Sequence, residues 1–584
     1  MREVSMQKYP VWTLKHERDS DSGADGSVEP LVDVVLANRG LTAEDIEDSP
    51  KVLQDPFTMK DMDLLSERIV KAVRSGERIV VFGDYDVDGV TSTAVFMDLL
   101  VRVGADAVSI LPDRYRDGYG MKPAGAQQAV DMGARVIVTA DNGISSFKAV
   151  EAANAAGIDV LVTDHHEPHG RLPDAFAVVN PNRPDCGYGF KGLAAVGVAF
   201  KAVQALSASL IDASERRAYL NSLLDLVALG TVADIAPMLG ENRLLTRRGM
   251  QILDRTQRPG LQALKAVAGT DTRPVDTTTI GFHLGPRINS AGRLASADLA
   301  LDLLRTGEAG EAARLAERLN ALNRQRREFE LEGVEQAGEQ VETMALDRQR
   351  ILVTRGESWH LGVVGLIAGR LAERYSRPAI ACSEVRGDGS FTGSARSGAG
   401  YNMAEAIFRC ADLLTEYGGH ADAGGFTGPL GNFDAFKTRM EADAAERISV
   451  EDLRTRLELD AALRPGEISL ETVSALSALA PFGSGNEAPL FMVQNCTVER
   501  ANAVGKGAHL KMNLDTGTSG DQAVRSTRSN PRICDAVWWG QGELAGRLHR
   551  GDRVDVACSL EANTWNGRTQ VQLVLEDMRP AQGQ

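Results

Sequence analysis

Short apolar runs that end in a carboxylate recur between residues 46 and 235 of the 584-residue chain. The runs "RIVVFGD", "ARVIVTAD" and "DVLVTD" are β-rich and end at Asp84, Asp141 and Asp164. Helical patterns such as "GVTSTAVFMDLLVRV" and "FKAVEAANAAG" lie between them. Strand and helix in alternation predict βαβ units and a parallel sheet, in which ligands bind at the carboxyl ends of the strands. We therefore predict that the three aspartates lie around one crevice.

The hydrophobic pattern changes after residue 300. Residues 301–346 are highly charged and carry one apolar stripe, which predicts a connecting helix. Strand-like "RILVT" and "RPAIAC" flank the helical "GVVGLIAGRLAERY", which predicts a second, smaller α/β region.

The last part of the chain, from about residue 466, is richest in β signals. Asn566-Gly567 precedes alternating apolar residues at 571, 573 and 575, which predicts a hairpin. A small β-barrel closes short strands of this kind. The polar, turn-rich segment 515–532 predicts an exposed loop within it.

Composition indicates an ordinary soluble protein, with 43% hydrophobic and 25% charged residues and no run of eighteen apolar residues. The N-terminal "MREVSMQKYPVWTLKHERD" lacks the apolar stretch of a secretory signal, so we expect a cytoplasmic protein that does not enter a membrane. The six cysteines are never closer than 24 positions, which excludes CxxC metal or redox pairs.

The formal charge of −16 argues at first against a nucleic-acid partner. Half of that negative charge lies between residues 17 and 48, which contain ten acidic residues and two arginines. This stretch is predicted to be solvated or partly disordered. Residues 243–258 carry five arginines against one aspartate, and residues 283–293 carry two arginines and a histidine without an acid. Basic surfaces are therefore expected, although a solvated face of an amphipathic helix also explains the first of them.

The segment "VVFGDYDVDGVT" places Asp84, Asp86 and Asp88 within five residues. Three like charges this close raise one another's pKa unless a cation neutralises them. Carboxylate oxygens favour Mg²⁺ or Mn²⁺, and the imidazoles of His165 and His166 move the choice toward Mn²⁺. Taken alone, the first motif is also compatible with a calcium loop, but it lacks the downstream Glu of an EF-hand and follows a strand.

Together with "TADNG" and with Asp234 in "LGTVADIAP", these residues supply enough carboxylates for two metal ions. Two cations about 3.5 to 4 Å apart clamp a phosphoryl group and activate water. The predicted substrate is a phosphate ester.

Four motifs, "DYDVDG", "ADNG", "TDHH" and "TVADIAP", resemble those of the DHH phosphoesterase superfamily, and "YGGHADAGGF" resembles its associated DHHA1 domain. Further segments, among them "GPRINSAGRL", "GSARS" and "LAPFGSGNEAPLF", are similar to the single-stranded-DNA-specific exonucleases of that superfamily. The resemblance covers roughly residues 65 to 578. The acidic N-terminus and the 515–532 loop fall outside what it explains.

The resemblance implies an α/β fold in which a parallel-sheet DHH domain is joined by a long helix to a smaller DHHA1 domain, followed by an OB-type β-barrel. The implied segments are an acidic N-terminal extension (1–45), the DHH catalytic domain (46–300), the connecting helix (301–346), the DHHA1 domain (347–465) and the OB-fold domain (466–584).

The same resemblance implies which residues form the site. Metal ligation is implied for Asp86, Asp88, Asp141, His165 and Asp234, with Asp84, Asp164 and His166 close around them as further catalytic candidates and Asp84 also a candidate ligand. A histidine that the superfamily often has four residues before Asp86 is replaced by Phe82, so one possible ligand is absent. Implied contacts to the DNA backbone or terminus are Arg114, Tyr119, Asn289, Arg293, Ser394, Arg396, Gly418, Gly419 and His420.

The implied activity is metal-dependent 5′→3′ exonucleolysis of single-stranded DNA with two Mn²⁺ or Mg²⁺ ions, in DNA repair and recombination. A monomer is expected, and a single-stranded-DNA-binding protein and a RecQ-type helicase are implied partners. In the barrel, the candidates for gripping the strand are Lys506, His509, Lys511, Trp538, Trp539 and Trp565, and alternation allows only one of the adjacent tryptophans to face outward.

Two rival functions remain open at this stage. One is a phosphodiesterase for short oligonucleotides or cyclic dinucleotides, against which the added barrel argues. The other is a catalytically inactive DHH-like replication scaffold, against which the complete set of eight motif acids and imidazoles argues.

Overall fold

The computed structural model describes residues 7–15, 30–168, 170–385, 387–517 and 533–581. They fall into two compact units. The larger unit spans Asp48–Ser449 with Pro481–Asn486, and the smaller unit joins the N-terminal 47 residues to Val450–Ala480 and Glu487–Gln584. Most of the loop predicted at 515–532 lies outside the described residues.

The elements are numbered in chain order. The strands are β1 (Val11–Leu14), β2 (Ile79–Phe82), β3 (Ala107–Ile110), β4 (Val136–Thr139), β5 (Asp159–Thr163), β6 (Ala177–Val179), β7 (Leu352–Gly356), β8 (Ala379–Val385), β9 (Ser390–Arg396), β10 (Glu416–Gly419), β11 (Ala423–Pro429), β12 (Arg456–Leu459), β13 (Ala461–Ala462), β14 (Phe491–Val504), β15 (His509–Asp515), β16 (Ile533–Trp538), β17 (Arg553–Trp565) and β18 (Arg568–Pro580). The helices are α1 (Leu31–Asn38), α2 (Met62–Ser75), α3 (Val87–Arg102), α4 (Pro123–Asp131), α5 (Phe147–Ala155), α6 (Ala195–Leu210), α7 (Ala213–Ser222), α8 (Leu224–Ala233), α9 (Gly240–Asp254), α10 (Pro259–Ala268), α11 (Gly285–Leu294), α12 (Asp298–Arg305), α13 (Ala309–Glu342), α14 (Leu361–Tyr375), α15 (Met403–Phe408), α16 (Phe433–Arg447) and α17 (Leu470–Ser477), with a π-helical turn at Thr279–Leu284.

The predicted parallel sheet is confirmed. Its order is β3-β2-β4-β5-β6, and each neighbouring pair is parallel. Strands β2 and β4 are buried along their whole length, as continuous apolar runs require when helices cover both faces. Val81 and Val138 point into the larger core with α3 and α6, whereas Val80 and Ile137 pack on the other face with α4 and α5.

The connecting helix is α13, with 34 residues. Leu315, Leu319 and Leu322 of the predicted stripe are buried in the core of the parallel-sheet region. Farther along, Ala337 and Val341 pack in the core of the second α/β region. That region has a five-stranded sheet of order β10-β11-β9-β8-β7, in which only β7 and β8 are parallel.

The predicted C-terminal barrel is also confirmed. Strands β14, β15, β16, β18 and β17 follow one another, and pairing of β14 with β17 closes the barrel. The hairpin between β17 and β18 turns at Asn566 and Gly567, whose φ angles of 49° and 75° are both positive. This is the backbone of the two-residue turn that Asn-Gly favours.

The described parts of the N-terminal segment, residues 7–15 and 30–45, contain a strand and a helix. Strand β1 pairs in parallel with β12, and α1 buries Leu31, Val34 and Val35. The buried carboxylate of Asp577 accepts the backbone N–H groups of Lys8 and Tyr9 at 2.7 and 3.0 Å and the indole N–H of Trp12 at 2.8 Å. The sequence does not reveal these contacts, because β12 and Asp577 lie hundreds of positions from the N-terminal residues that they bind. Residues 16–29 of the extension lie outside the described residues.

In the described part of the chain, no helix has both the length and the apolarity needed to cross a bilayer.

Candidate metal centre

The carboxyl edge of the parallel sheet gathers the motif residues. Asp84 follows β2, Asp141 follows β4, and Asp164 with its two histidines follows β5. Asp86 is the N-cap of α3, where its side chain accepts the N–H of Gly89 at 3.0 Å, and Asp88 lies in the first turn. Asp234 is the C-cap of α8 and therefore ends a buried helix rather than a strand.

His165 lies at the middle of this group. Its Nε2 atom is 3.3 Å from Oδ1 of Asp141 and 4.0 Å from Oδ2 of Asp88, and its Nδ1 atom is 3.8 Å from Oδ2 of Asp234. Three sets of side chains bring their donor atoms within 4.8 Å of one another: Asp141, His165 and His166; Asp88, His165 and Asp234; and Asp84, Asp86 and Asp141. Residues scattered over 151 positions thus converge on one place.

Asp164 is held by the backbone. Its Oδ1 atom accepts the N–H groups of His165 and His166 at 2.8 and 3.1 Å, and its Oδ2 atom accepts the N–H of Ile144 at 2.9 Å. Burial alone would raise the pKa of Asp164, but the hydrogen bond with His166, the charges of His166 and His165 and the amide of Ile144 outweigh it and lower the pKa. The result is a buried carboxylate that stays charged and that binds the imidazole of His166 and the backbone of both histidines.

Asp88 is bound to the N-terminus of α6. Its two oxygens accept the N–H groups of Ala195 and Val196 at 2.7 and 2.8 Å. Burial, followed by the charge of Asp86, nevertheless raises the pKa of Asp88 to about 7, and the two amides oppose that shift. The N-terminus of α6 therefore fixes the position of Asp88 but does not fully offset the cost of burying its negative charge.

The other buried acids lie close enough to repel one another. Burial, followed by neighbouring carboxylates, raises the pKa values of Asp84, Asp141 and Asp234 well above the usual aspartate value. Burial, together with the charge of His166, lowers the pKa of His165 to about 4, so this imidazole is neutral at pH 7 and has a free lone pair.

The donor set fits divalent cations. Among the described residues, Oδ1 of Asp84 and Oδ1 of Asp141 are buried without a hydrogen-bond partner, although unpaired buried carboxylate oxygens are costly. A bound cation would satisfy both oxygens and relieve the repulsion between the acids. The mixture of carboxylate oxygens with one neutral imidazole suits Mn²⁺ or Mg²⁺.

Two backbone details hold this geometry. Asp141 has φ of 68°, a left-handed conformation that Asp and Asn tolerate better than most residues. A Cβ atom added to Gly89 would lie 2.6 Å from the backbone N of Asp84, so only glycine lets the start of α3 approach the end of β2 this closely.

Phe82 does not replace the absent histidine as a ligand. It is 2% exposed and packs with Val80 and Ile137 in the core beneath α4. Its ring fills the space at Gly125, where an added Cβ atom would lie 2.7 Å away. The candidate ligands at this site are therefore the aspartates and the two histidines that follow β5.

Family models match three parts of the chain. The model of the DHH family, N-terminal domain, matches residues 78–231, that of the DHHA1 domain matches 348–446, and that of the RecJ OB domain matches 459–577. The chain is 35% identical to the single-stranded-DNA-specific exonuclease RecJ of Escherichia coli, over 98% of this chain and 100% of that protein. The chain belongs to the RecJ family. It is also 36% identical to RecJ of Salmonella typhimurium, over 97% of this chain and 98% of that protein.

Solved structures of RecJ agree with this membership. RecJ from Thermus thermophilus in complex with Mn²⁺ matches with a TM-score of 0.78 at 30% identity, covering 95% of this chain and 76% of that one. The same protein in complex with Mg²⁺ matches with a TM-score of 0.73 at 29% identity, over 95% and 75% of the two chains.

Three arginines that the resemblance to the family points to come together beside the metal centre. Burial, followed by the charge of Arg114 and, more weakly, of Arg396, lowers the pKa of Arg293 to about 10. The guanidinium of Arg114 lies 4.2 Å from the ring centroid of Tyr85, and its charge also reaches Asp84. Cations this close repel one another, and a bound phosphate would relieve the repulsion.

Arg293 also joins two regions of the larger unit. Its guanidinium donates to the carbonyl oxygen of Gly362 at the start of α14 at 2.9 Å, and its own carbonyl oxygen accepts the hydroxyl of Tyr115 at 2.5 Å. A Cβ atom on Gly362 would lie 2.4 Å from that carbonyl oxygen. Asn289 is partly exposed on the same helix, one turn before Arg293.

The DHHA1 domain of this RecJ-family chain contributes the other predicted contacts. Arg396 donates to Oγ of Ser394 at 3.0 Å. Gly418 and Gly419 of the edge strand β10 pair with Gly425 and Gly424 of its neighbour β11. His420 lines a cleft of about 400 Å³ together with Tyr119 and His166. Tyr119 itself reaches the metal centre, because its hydroxyl donates to the carbonyl oxygen of Asp141 at 3.0 Å.

Several groups that build the site were missed by sequence reasoning. The N–H groups of Ile144, Ala195 and Val196 hold the acids, but a backbone group carries no signal in residue type. The sequence pattern does not point to Tyr85 or Tyr115 either, although Tyr85 lies between Asp84 and Asp86 and Tyr115 directly follows Arg114.

The barrel presents part of the predicted aromatic surface. Trp538 is 5% exposed and Trp539 is 59% exposed, as strand alternation predicts. The ring of Trp539 packs edge-on against His509 with centroids 4.9 Å apart. Lys511 forms an ion pair with Asp535 at 3.4 Å, and Trp565 is 74% exposed.

Proposed function

We propose that this chain is a metal-dependent exonuclease that degrades single-stranded DNA in the 5′→3′ direction by hydrolysing phosphodiester bonds. The observation that carries the proposal is the convergence of the six potential ligands Asp84, Asp86, Asp88, Asp141, His165 and Asp234 at one sheet edge. The names and metal-bound structures of its RecJ relatives support the same activity.

These six residues would hold two ions, Mn²⁺ or Mg²⁺. Such a pair polarises the scissile phosphate and supplies a water of lowered pKa. The surrounding side chains would orient the metal ligands and neutralise charge on the phosphate. Asp164 holds the imidazole of His166. Burial lowers the pKa of His166, but the hydrogen bond with Asp164 and the charges of Asp164, Asp86 and Asp84 together outweigh burial and raise that pKa. A protonated His166 would donate a hydrogen bond to the phosphate or to the leaving oxygen.

The cationic groups beside the centre would bind the end of the strand. Arg114, Arg293 and Arg396 present guanidinium groups to phosphate, and the remaining proposed contacts are Tyr119, Asn289, Ser394, Gly418, Gly419 and His420. Trp539 and Trp565 on the barrel would stack on bases without regard to sequence. An exonuclease for single strands needs binding that does not depend on the base sequence.

Neither rival function explains the whole chain. A small cyclic or dinucleotide substrate gives no reason for a RecJ OB domain. An inactive scaffold gives no reason to keep a cluster of buried carboxylates that repel one another in the absence of a bound cation.

Further assignments follow the family resemblance. We propose the domain boundaries 46–300, 301–346, 347–465 and 466–584, with 1–45 as the N-terminal extension, and a monomer that acts in the cytoplasm in DNA repair and recombination. A single-stranded-DNA-binding protein and a RecQ-type helicase are the proposed protein partners.

A nuclease assay tests the activity. Substrates labelled at the 5′ end as single strand, duplex and dinucleotide are incubated with Mn²⁺, Mg²⁺ or EDTA. We expect release of 5′-terminal nucleotides from the single strand only, no activity in EDTA, and no activity in Asp86→Ala with an unchanged circular-dichroism spectrum. Full activity of Asp86→Ala, or equal rates on duplex, would refute the assignment.

A further inference from the structure

Ile235 adopts an unfavourable backbone conformation next to the metal centre. It directly follows Asp234, has φ of 59° and is 74% exposed. A β-branched residue in the left-handed region is a true outlier, and such strain concentrates at functional sites. An apolar side chain is thus held out into solvent beside a metal-binding aspartate.

Phe282 is a second exposed apolar residue close to this point. It is 70% exposed and lies on the π-helical turn Thr279–Leu284, a backbone form that is frequent at functional sites. The turn packs against the last residues of α8. Cβ atoms built on Gly281 and Gly285 would lie 3.9 Å from Val232 and 3.5 Å from Ala233, the two residues before Asp234.

The turn is rigidly anchored. Arg287 donates to the carbonyl oxygen of His283 at 2.6 Å and to the side-chain oxygen of Asn320 on α13 at 3.1 Å. Phe282 is therefore presented by a fixed backbone and is not the tip of a free loop.

Positive charge surrounds the turn. Burial, followed by the charges of Arg273, Arg287 and Arg327, lowers the pKa of His283, and Asp276 opposes the shift. Arg273 and Arg327 are exposed, and they come from different elements, the loop after α10 and the helix α13. Arg324, close by, is paired with Glu317 at 3.1 Å. Cationic side chains around an exposed aromatic ring are the combination that binds single-stranded nucleic acid.

We propose that Ile235, Phe282, Arg273 and Arg327 form a track for single-stranded DNA that begins at the metal centre. The inference rests on the proposed function and specifies where the strand runs next to the scissile bond. Phe282 stacks on a base, Ile235 keeps apolar contact with the neighbouring nucleotide, and the two arginines bind phosphates.

The test measures strand binding with phosphorothioate-linked 12-mers, which resist hydrolysis. A single abasic site is moved along the strand, and affinities are compared for the wild type, Phe282→Ala and Phe282→Trp. The wild type should show a position at which loss of the base weakens binding about tenfold. Phe282→Ala should bind the intact strand about tenfold more weakly and lose sensitivity at that position, and Phe282→Trp should restore both.

Salt dependence tests the arginines. Arg273→Ala and Arg327→Ala should each reduce the slope of log affinity against log salt by about 0.7. Leu331→Ala, which removes another exposed apolar side chain of the same unit, and Arg348→Ala, which removes another exposed arginine, should behave as the wild type.

The outcomes separate the two proposals. If the wild type degrades single strands but Phe282→Ala keeps the wild-type abasic profile and the arginine variants keep the wild-type slope, the track is wrong and the nuclease function stands. If the wild type degrades no strand with Mn²⁺ or Mg²⁺, the proposed function fails and the track fails with it.

Discussion

Oδ1 of Asp164 lies 2.7 Å from Nδ1 of His166. The same carboxylate accepts the backbone N–H groups of both histidines and of Ile144. Asp164 is also 0% exposed. It therefore holds the imidazole of His166 and the backbone of both histidines in place. Carboxylates that hold metal-binding histidines in place have this arrangement.

Asp164→Asn should weaken Mn²⁺ binding about 10- to 100-fold, because it removes the charge that holds the imidazole of His166 while keeping the size of the side chain. Calorimetric titration of the metal-free protein with Mn²⁺ measures the change. Asp174→Asn, at an exposed aspartate of the same region, is the matched control. Unchanged Mn²⁺ affinity in Asp164→Asn would remove this residue from the site.

Asp141→Asn should abolish activity and at the same time stabilise the metal-free protein. The substitution removes a buried charge that is repelled by four other aspartates, and asparagine tolerates the left-handed backbone at this position. We expect a gain of about 1 to 3 kcal/mol in the free energy of unfolding at pH 7 in EDTA. Denaturant unfolding measures it, and Asp141→Ala should gain less because alanine is strained at this φ. A less stable Asp141→Asn protein would show that the repulsion is absent.

The raised pKa values of the buried acids should lower stability in EDTA as pH rises from about 4 to about 7, and the lowered pKa of His165 opposes this trend only below its unfolded value of 6.5. The folded-state pKa of Asp88 is raised to about 7, so the folded state binds more protons than the unfolded state in this range. The contribution of Asp88 to stability is complete below its unfolded pKa and is lost as pH rises through the folded pKa. Metal binding requires the charged form, so the increase in Tm on adding Mn²⁺ should grow over the same pH range. Melting curves with EDTA and with Mn²⁺ at pH 5, 6, 7 and 8 measure both trends. An increase in Tm on adding Mn²⁺ that is the same at every pH would contradict the prediction.

The two adjacent tryptophans of the barrel should separate stability from binding. Trp538→Ala removes a buried ring and should cost about 3 to 5 kcal/mol of stability. Trp539→Ala should leave the melting temperature nearly unchanged and weaken binding of oligo-dT about tenfold if its exposed ring stacks on a base. Thermal melting and fluorescence anisotropy of both variants test this. Equal affinity of Trp539→Ala and the wild type would place the strand elsewhere on the barrel.

Much of the fold was predictable from local patterns. The continuous apolar runs of β2 and β4 require cover on both faces, and the Asn566-Gly567 pair requires a tight turn, because both follow from properties of adjacent residues. The N-terminal strand was not predictable. Its partners on β12 and at Asp577 lie hundreds of residues away, and the acidic composition around it favours a solvated chain.

The sequence by itself determined which side chains are candidates for the chemistry: aspartates and histidines at the ends of apolar runs, at positions where parallel strands bring ligands together. Only the tertiary structure decided which of these carboxylates are hydrogen-bonded and which keep an oxygen free for a cation. Asp164 is bound by amides and holds the imidazole of His166, whereas Asp84 and Asp141 each keep a buried oxygen without a partner among the described residues. Identical carboxylates differ in this way because hydrogen bonds and burial depend on backbone groups from distant segments, and no local pattern records where those groups will lie.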